Sequence, residues 1–127
     1  MKLHHIGIAV DNIEGMLEYI KIFGGIEHCS KIVFDPKQNA RVMLVKMQDG
    51  VVLELIDGEV VNKLVKKQRY LYHLCYEINS NIEEVIDNLK KQGAYLVSEP
   101  KEAILFNNRK VAFLMTKMGL IEILEYK

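Results

Sequence analysis

The chain repeats itself, and the repeat brings its least ordinary residues back at the same spacing. Leu3–Val10 reads as a strand with a histidine near its start, and a similar stretch returns at Leu71–Ile78. Each copy leads into a helix and then into more strands. Each half closes on an apolar strand with one glutamate inside it, Val51-Val52-Leu53-Glu54-Leu55-Ile56 in the first and Leu120-Ile121-Glu122-Ile123-Leu124 in the second. His5 and Glu54 are 49 residues apart, and so are His73 and Glu122. The fold must therefore build one unit twice, each unit offering one histidine and one glutamate from equivalent strands.

Taken in order, strand one covers about 3–10, with His5, Gly7 and Ala9 on one face and Ile6, Ile8 and Val10 on the other. Asp11 and Glu14 have capping-box spacing with Asp as the cap. The helix they open runs to about Phe23 on the stripe Ile13, Met16, Leu17 and Ile20, and Gly24-Gly25 ends it. Strands follow at Glu27–Phe34, Ala40–Met47 and Val51–Ile56, with a turn at 35–39 and a tight hairpin at Gln48-Asp49-Gly50. Residues 59–67 form a short linking helix with Val61, Leu64 and Val65 facing inward.

The second half runs the same plan. Strand 71–78 is followed by a capping pair, Ser80 and Glu83, then by the stripe Ile82, Val85, Ile86 and Leu89 and a stop at Gly93. Tyr95–Ser98 is a strand that Pro100 breaks, and 103–106 is a further edge segment. Lys110–Met115 and Leu120–Glu125 are the closing hairpin. The pattern predicts an α+β fold of two βαβββ repeats, 1–58 and 68–127, within a single domain over 1–127. Strand, helix, strand and then hairpins imply a mixed sheet with helices on one face. Two such half-sheets can pair about a pseudo-twofold axis and leave a concave face open.

Composition narrows the function. Half of the 127 residues are apolar, enough for one core. Seventeen basic residues balance seventeen acidic ones, which argues against nucleic acid or a membrane as partner. No apolar run approaches the roughly 18 residues that span a bilayer, and the start has no signal-peptide pattern. Cys29 and Cys75 are too few for a disulfide scaffold and lack C-x-x-C spacing. The expectation is a cytoplasmic, soluble protein with reduced thiols and Cys75 in the core.

A glutamate within an apolar strand is costly unless its charge is paired or binds a cation. One such residue alone is more often a solvent-facing side chain. Two histidines and two glutamates in matched pairs suit a divalent metal bound through nitrogen and oxygen, and their charges would balance those of the ion. His4 points the other way from His5, and His28 has no repeat counterpart; neither is assigned as a ligand.

At these residues the chain resembles the vicinal oxygen chelate superfamily, which includes glyoxalase I, methylmalonyl-CoA epimerase, extradiol dioxygenases and bleomycin-resistance proteins. The motifs that carry the resemblance are His5-Ile6-Gly7-Ile8-Ala9-Val10, Leu53-Glu54-Leu55, His73-Leu74, Val111-Ala112-Phe113-Leu114 and Ile121-Glu122-Ile123-Leu124. Ser98-Glu99-Pro100-Lys101 adds similarity to the epimerases. The resemblance implies a cupped mixed β-sheet with helices on its outer face. It implies one divalent ion (cobalt, nickel, manganese, zinc or magnesium) held by His5, Glu54, His73 and Glu122, and a homodimer.

The activity it implies is metal-dependent proton transfer next to a carbonyl through a stabilised enolate, with a small carbonyl or thioester substrate. Glu122 and Glu54 would be the acid–base pair. The strand 40–47 carries no further carboxylate, so those two would serve as ligands and bases together. An alternative is glyoxalase I (lactoylglutathione lyase) type isomerisation of a thiohemiacetal. A further alternative, from another class, is a non-catalytic drug-binding protein.

Overall fold

The structure, a computed structural model, describes residues 1–126. The described chain is α+β, with nine strands and three α-helices. It divides into two compact units, one covering His5–Tyr72 and the other Met1–His4 with the residues from His73 onward.

The first unit takes most of β1 (Lys2–Ala9), then α1 (Ile13–Ile20), β2 (Ile26–Cys29), β3 (Val33–Asp35), β4 (Ala40–Met47), β5 (Val52–Gly58) and α2 (Asn62–Lys66). Its sheet runs β2-β4-β5-β1, with β3 also on β4. β1 lies parallel to β5, and the other pairs are antiparallel. α1 covers one face: Ile13 and Ile20 are buried with Val10, Met43, Val45, Met47 and Leu55. Successive strand residues point to opposite faces. Burying Leu55 under the helix therefore turns Glu54 to the other face, with His5, Gly7 and Ala9.

The expected strand Glu27–Phe34 is two short strands, β2 and β3, and the cap of α1 lies one residue after the expected Asp11. Asn12, not Asp11, caps α1, and its side chain accepts the Gly15 N–H at 2.8 Å. Glu14 does not reach back to the cap because Arg41 claims it, through Nη1 at 2.9 Å and Nη2 at 2.7 Å. Arg41 also binds Asp57, which is buried and accepts the Ile13 N–H at 3.0 Å. One arginine thus ties the first turn of α1 to the end of β5. At that end Gly58 has φ +117°, and a Cβ there would meet the Asn39 carbonyl oxygen at 2.9 Å, so only glycine fits without strain.

The second unit contains β6 (Leu71–Glu77) from His73 on, α3 (Ile82–Lys91), β7 (Tyr95–Ala103), β8 (Arg109–Thr116) and β9 (Gly119–Leu124). The sheet order is β6-β9-β8-β7, with β6 parallel to β9. Ile82, Val85 and Ile86 of α3 pack on Ala112, Leu114, Ile121 and Ile123. The cap is again one residue beyond expectation: Asn81, not Ser80, accepts from the Glu83 and Glu84 N–H groups. Pro100 does not break its strand. Among the described residues β7 pairs only with β8, and the register slips between Ser98 and Lys101, so an irregular edge strand spares the proline the N–H it lacks. The expected edge segment at 103–106 is the end of β7 followed by a single 3₁₀ turn, Ile104–Phe106.

Candidate functional site

In the first unit, His5 Nε2 stands 3.5 Å from Glu54 Oε1, with the two side chains 0% and 8% exposed. Their meeting follows from the parallel pairing of β1 and β5. Glu54 is opposite Gly7, and His5 lies two residues earlier on the same face. Gly7 and Ala9 leave room beside it. On the other side Glu54 faces Leu44 of β4.

The second unit repeats the arrangement. His73 Nε2 is 3.2 Å from Glu122 Oε1, with side chains 1% and 5% exposed. Glu122 is opposite Cys75 in the parallel β6–β9 pair, and His73 is two residues earlier. Both pairs lie on the sheet face that the helix of their unit does not cover. The antiparallel neighbour differs from that of the first unit. Here Glu122 faces Phe113, whose ring meets the His73 ring edge-on, with centroids 5.3 Å apart and planes at 86°.

All four assigned residues are thus buried, and each glutamate sits beside the histidine of its own half. Each pair offers an imidazole nitrogen and a carboxylate oxygen, the donor chemistry of a divalent ion of the zinc, cobalt, nickel or manganese kind. Of the two histidines set aside, His28 is exposed on β2. His4 is half-buried and places its ring edge-on to Phe106 at 5.5 Å.

Two features beside the pairs had no assigned role. Phe113 carried the family motif, but only the register shows it next to His73. Arg109 donates through Nη1 to Glu77 Oε2 at 2.6 Å and to the Glu125 carbonyl at 3.3 Å. That hydrogen bond is the main reason the Glu77 carboxyl lies below the ordinary value, with the nearby charges of His4 and Lys2 adding to it. In the first unit the Arg41 guanidinium pulls Glu14 down to about 2, and both carboxylates push Arg41 upward in turn. These clamps hold the strand ends a few residues beyond the buried pairs: Asp57 follows Glu54 on β5, Glu77 follows His73 on β6, and Glu125 follows Glu122 after β9.

Comparison with known proteins identifies the family. The profile of the glyoxalase/bleomycin resistance protein/dioxygenase superfamily matches residues 4–113, and the chain belongs to that superfamily. No curated protein matches the sequence significantly. Among solved structures the chain is similar to methylmalonyl-CoA epimerase from Mycobacterium tuberculosis, with a TM-score of 0.82, 22% identity, and coverage of 99% of this chain and 88% of that one. A hypothetical protein from Bacillus halodurans C-125 gives a TM-score of 0.75 at 26% identity, covering 99% and 94%. A mutant 4-hydroxymandelate synthase from Streptomyces coelicolor gives 0.65 at 12% identity, with 98% of this chain on 48% of that one. The epimerase and synthase likenesses show the fold.

Proposed function

We propose that this chain is a divalent-metal-dependent enzyme that moves a proton on the carbon next to a carbonyl, in the manner of methylmalonyl-CoA epimerase, with an acyl-CoA thioester as substrate class. The reading rests on the duplicated buried pairs, His5 with Glu54 and His73 with Glu122. Membership of the superfamily supports it. In this reading the four side chains converge on one ion, the chain acts as a single domain over 1–127, and the working form is a homodimer.

A divalent ion held there would supply Lewis-acid stabilisation to the carbonyl oxygen on which charge develops as the α-proton leaves. The protein's own groups handle the proton. Glu122 takes it from one face of the α-carbon, and Glu54 returns one to the other. A carboxylate has two oxygens, so one can serve the ion while the other serves the proton. Phe113, packed on His73 and opposite Glu122, lines the carboxylate with an apolar ring.

The test is solvent deuterium incorporation at the α-carbon of methylmalonyl-CoA, followed by mass spectrometry with protein loaded with cobalt, nickel, manganese, zinc or magnesium. Incorporation together with racemisation is expected. Failure with every ion contradicts the reading. Isomerisation of a methylglyoxal thiohemiacetal in its place would move the assignment to the glyoxalase I reaction.

A further inference from the structure

A second feature of the first unit has a charge that the fold does not use. Lys63, Lys66, Lys67 and Arg69 fall within seven residues, and no Asp or Glu occurs between Glu59 and Glu77. All four are exposed. Among the described residues none of them takes part in an ion pair. The other two arginines, Arg41 and Arg109, are both committed to carboxylates. In a chain with no net charge, this is a local concentration of unspent positive charge.

Helix chemistry accounts for only part of it. Cations near a helix C-terminus are favoured by the dipole, but α2 has five residues and one cation would answer so small a dipole. The backbone then reverses sharply. Gln68 is left-handed, with φ 57°, its N–H donates to the Val65 carbonyl at 3.0 Å, and the Arg69 N–H donates to the Leu64 carbonyl at 2.9 Å. This Schellman closure reverses the chain directly after the helix, with Arg69 hydrogen-bonded through its N–H to the turn that carries the lysines. The Tyr70 carbonyl accepts the Ala9 N–H at 2.8 Å, which pins the segment to the end of β1. His5 lies four residues back along that strand, about 13 Å at the usual rise. Tyr70 itself is 43% exposed and offers an aromatic face on which a base can stack.

We propose that Lys63, Lys66, Lys67 and Arg69 bind the phosphates of the substrate's nucleotide handle, so that the acyl end is delivered towards His5 and Glu54. The proposal deepens the acyl-CoA reading above and rests on it. Four like charges held together repel one another when the site is empty and are relieved when a compact polyanion arrives. Lysine and arginine are the side chains suited to phosphate oxygens. The strand's length is of the order that a pantetheine arm spans between thioester and phosphates.

The experiment uses two probes and one variant, Lys63→Gln/Lys66→Gln/Lys67→Gln/Arg69→Gln, whose positions are exposed and outside the buried pairs. Adenosine 3′,5′-bisphosphate, which has no acyl group, is titrated calorimetrically at low salt into the wild type and the variant. Binding to the wild type is expected, weakening as salt is raised, with a loss of at least about tenfold in the variant, worth ~1.4 kcal/mol. The second comparison is kcat/KM for the CoA thioester and for the N-acetylcysteamine thioester of the same acid. The variant should lose the preference for the CoA ester and keep the rate on the short one. Bisphosphate binding through these residues without turnover would leave the phosphate site standing and remove the proposed reaction. The same bisphosphate affinity in both proteins, or none in the wild type, overturns the proposal. Retention of RNA or anionic vesicles by the four residues without bisphosphate binding also overturns it.

Discussion

His73 and Glu122 meet at 3.2 Å because Glu122 stands opposite Cys75, two residues past His73 on the same face of β6. His5 reaches Glu54 by the same stagger, past Gly7. The shared 49-residue interval is therefore the chain length needed to leave a strand, pass through a helix and the intervening strands (β2, β3 and β4 in the first unit, β7 and β8 in the second), and return parallel beside it.

Glu122→Gln removes the charge and keeps the shape. The variant is expected to fold with a circular dichroism spectrum like that of the wild type and to lose turnover by about 10²–10⁴-fold, the usual worth of a positioned general base. Wild-type kcat on methylmalonyl-CoA would remove Glu122 from the proton-transfer step.

Chelation should destabilise the protein. An ion present at one hundred times its Kd for the folded state adds about 2.7 kcal/mol, and if Glu54 and Glu122 share one ion as proposed, its removal takes away their counter-charge. A melting temperature lowered by a chelator and restored by added metal is expected. A scan indifferent to the chelator contradicts a shared metal site.

Arg41→Ala tests the clamp between α1 and β5. Glu14 is held at about 2 against an ordinary 4.5, so it should titrate near 4.5 in the variant when followed by NMR. A carboxyl depressed in the folded state adds stability that is complete above about pH 4.5 and fades as the pH falls towards 2. The variant should lack that portion of the acid dependence. Asp57, buried and deprived of its cation, should cost a further ~2 kcal/mol at neutral pH by chemical denaturation. An unshifted Glu14 titration would mean that Arg41 does not hold it in solution.

Gly58→Ala forces a Cβ into left-handed backbone and to within 2.9 Å of the Asn39 carbonyl. A loss of about 1–3 kcal/mol is expected from urea unfolding. A neutral effect would show that the turn between β5 and the following segment adopts another conformation.

Periodicity and the repeat were enough to read the α+β plan and the equivalent strands, because side chains that alternate or recur every third and fourth residue report burial directly. In both halves the cap stands one residue after the position that the sequence predicts. Asp11 and Ser80 have good cap chemistry, but the asparagine after each sits where the first free N–H groups point. Pro100 in a run of strand residues predicts a break, because a sequence does not show that β7 is an irregular edge. Phe113 was visible as an apolar strand residue, while its place against His73 depends on the β8–β9 register, which Gly119 and the short turn set. The Arg41 clamp joins residues far apart in sequence, and no local pattern announces it.

The proposed function depends on His5, Glu54, His73 and Glu122 holding one divalent ion. Elemental analysis of protein purified without added metal, beside a His5→Ala/His73→Ala variant, tests it most directly. About one ion per chain is expected in the wild type, as purified or after reconstitution with cobalt, nickel, manganese or zinc, and none retained by the variant. No metal in the wild type after reconstitution, or equal metal in both proteins, would contradict it.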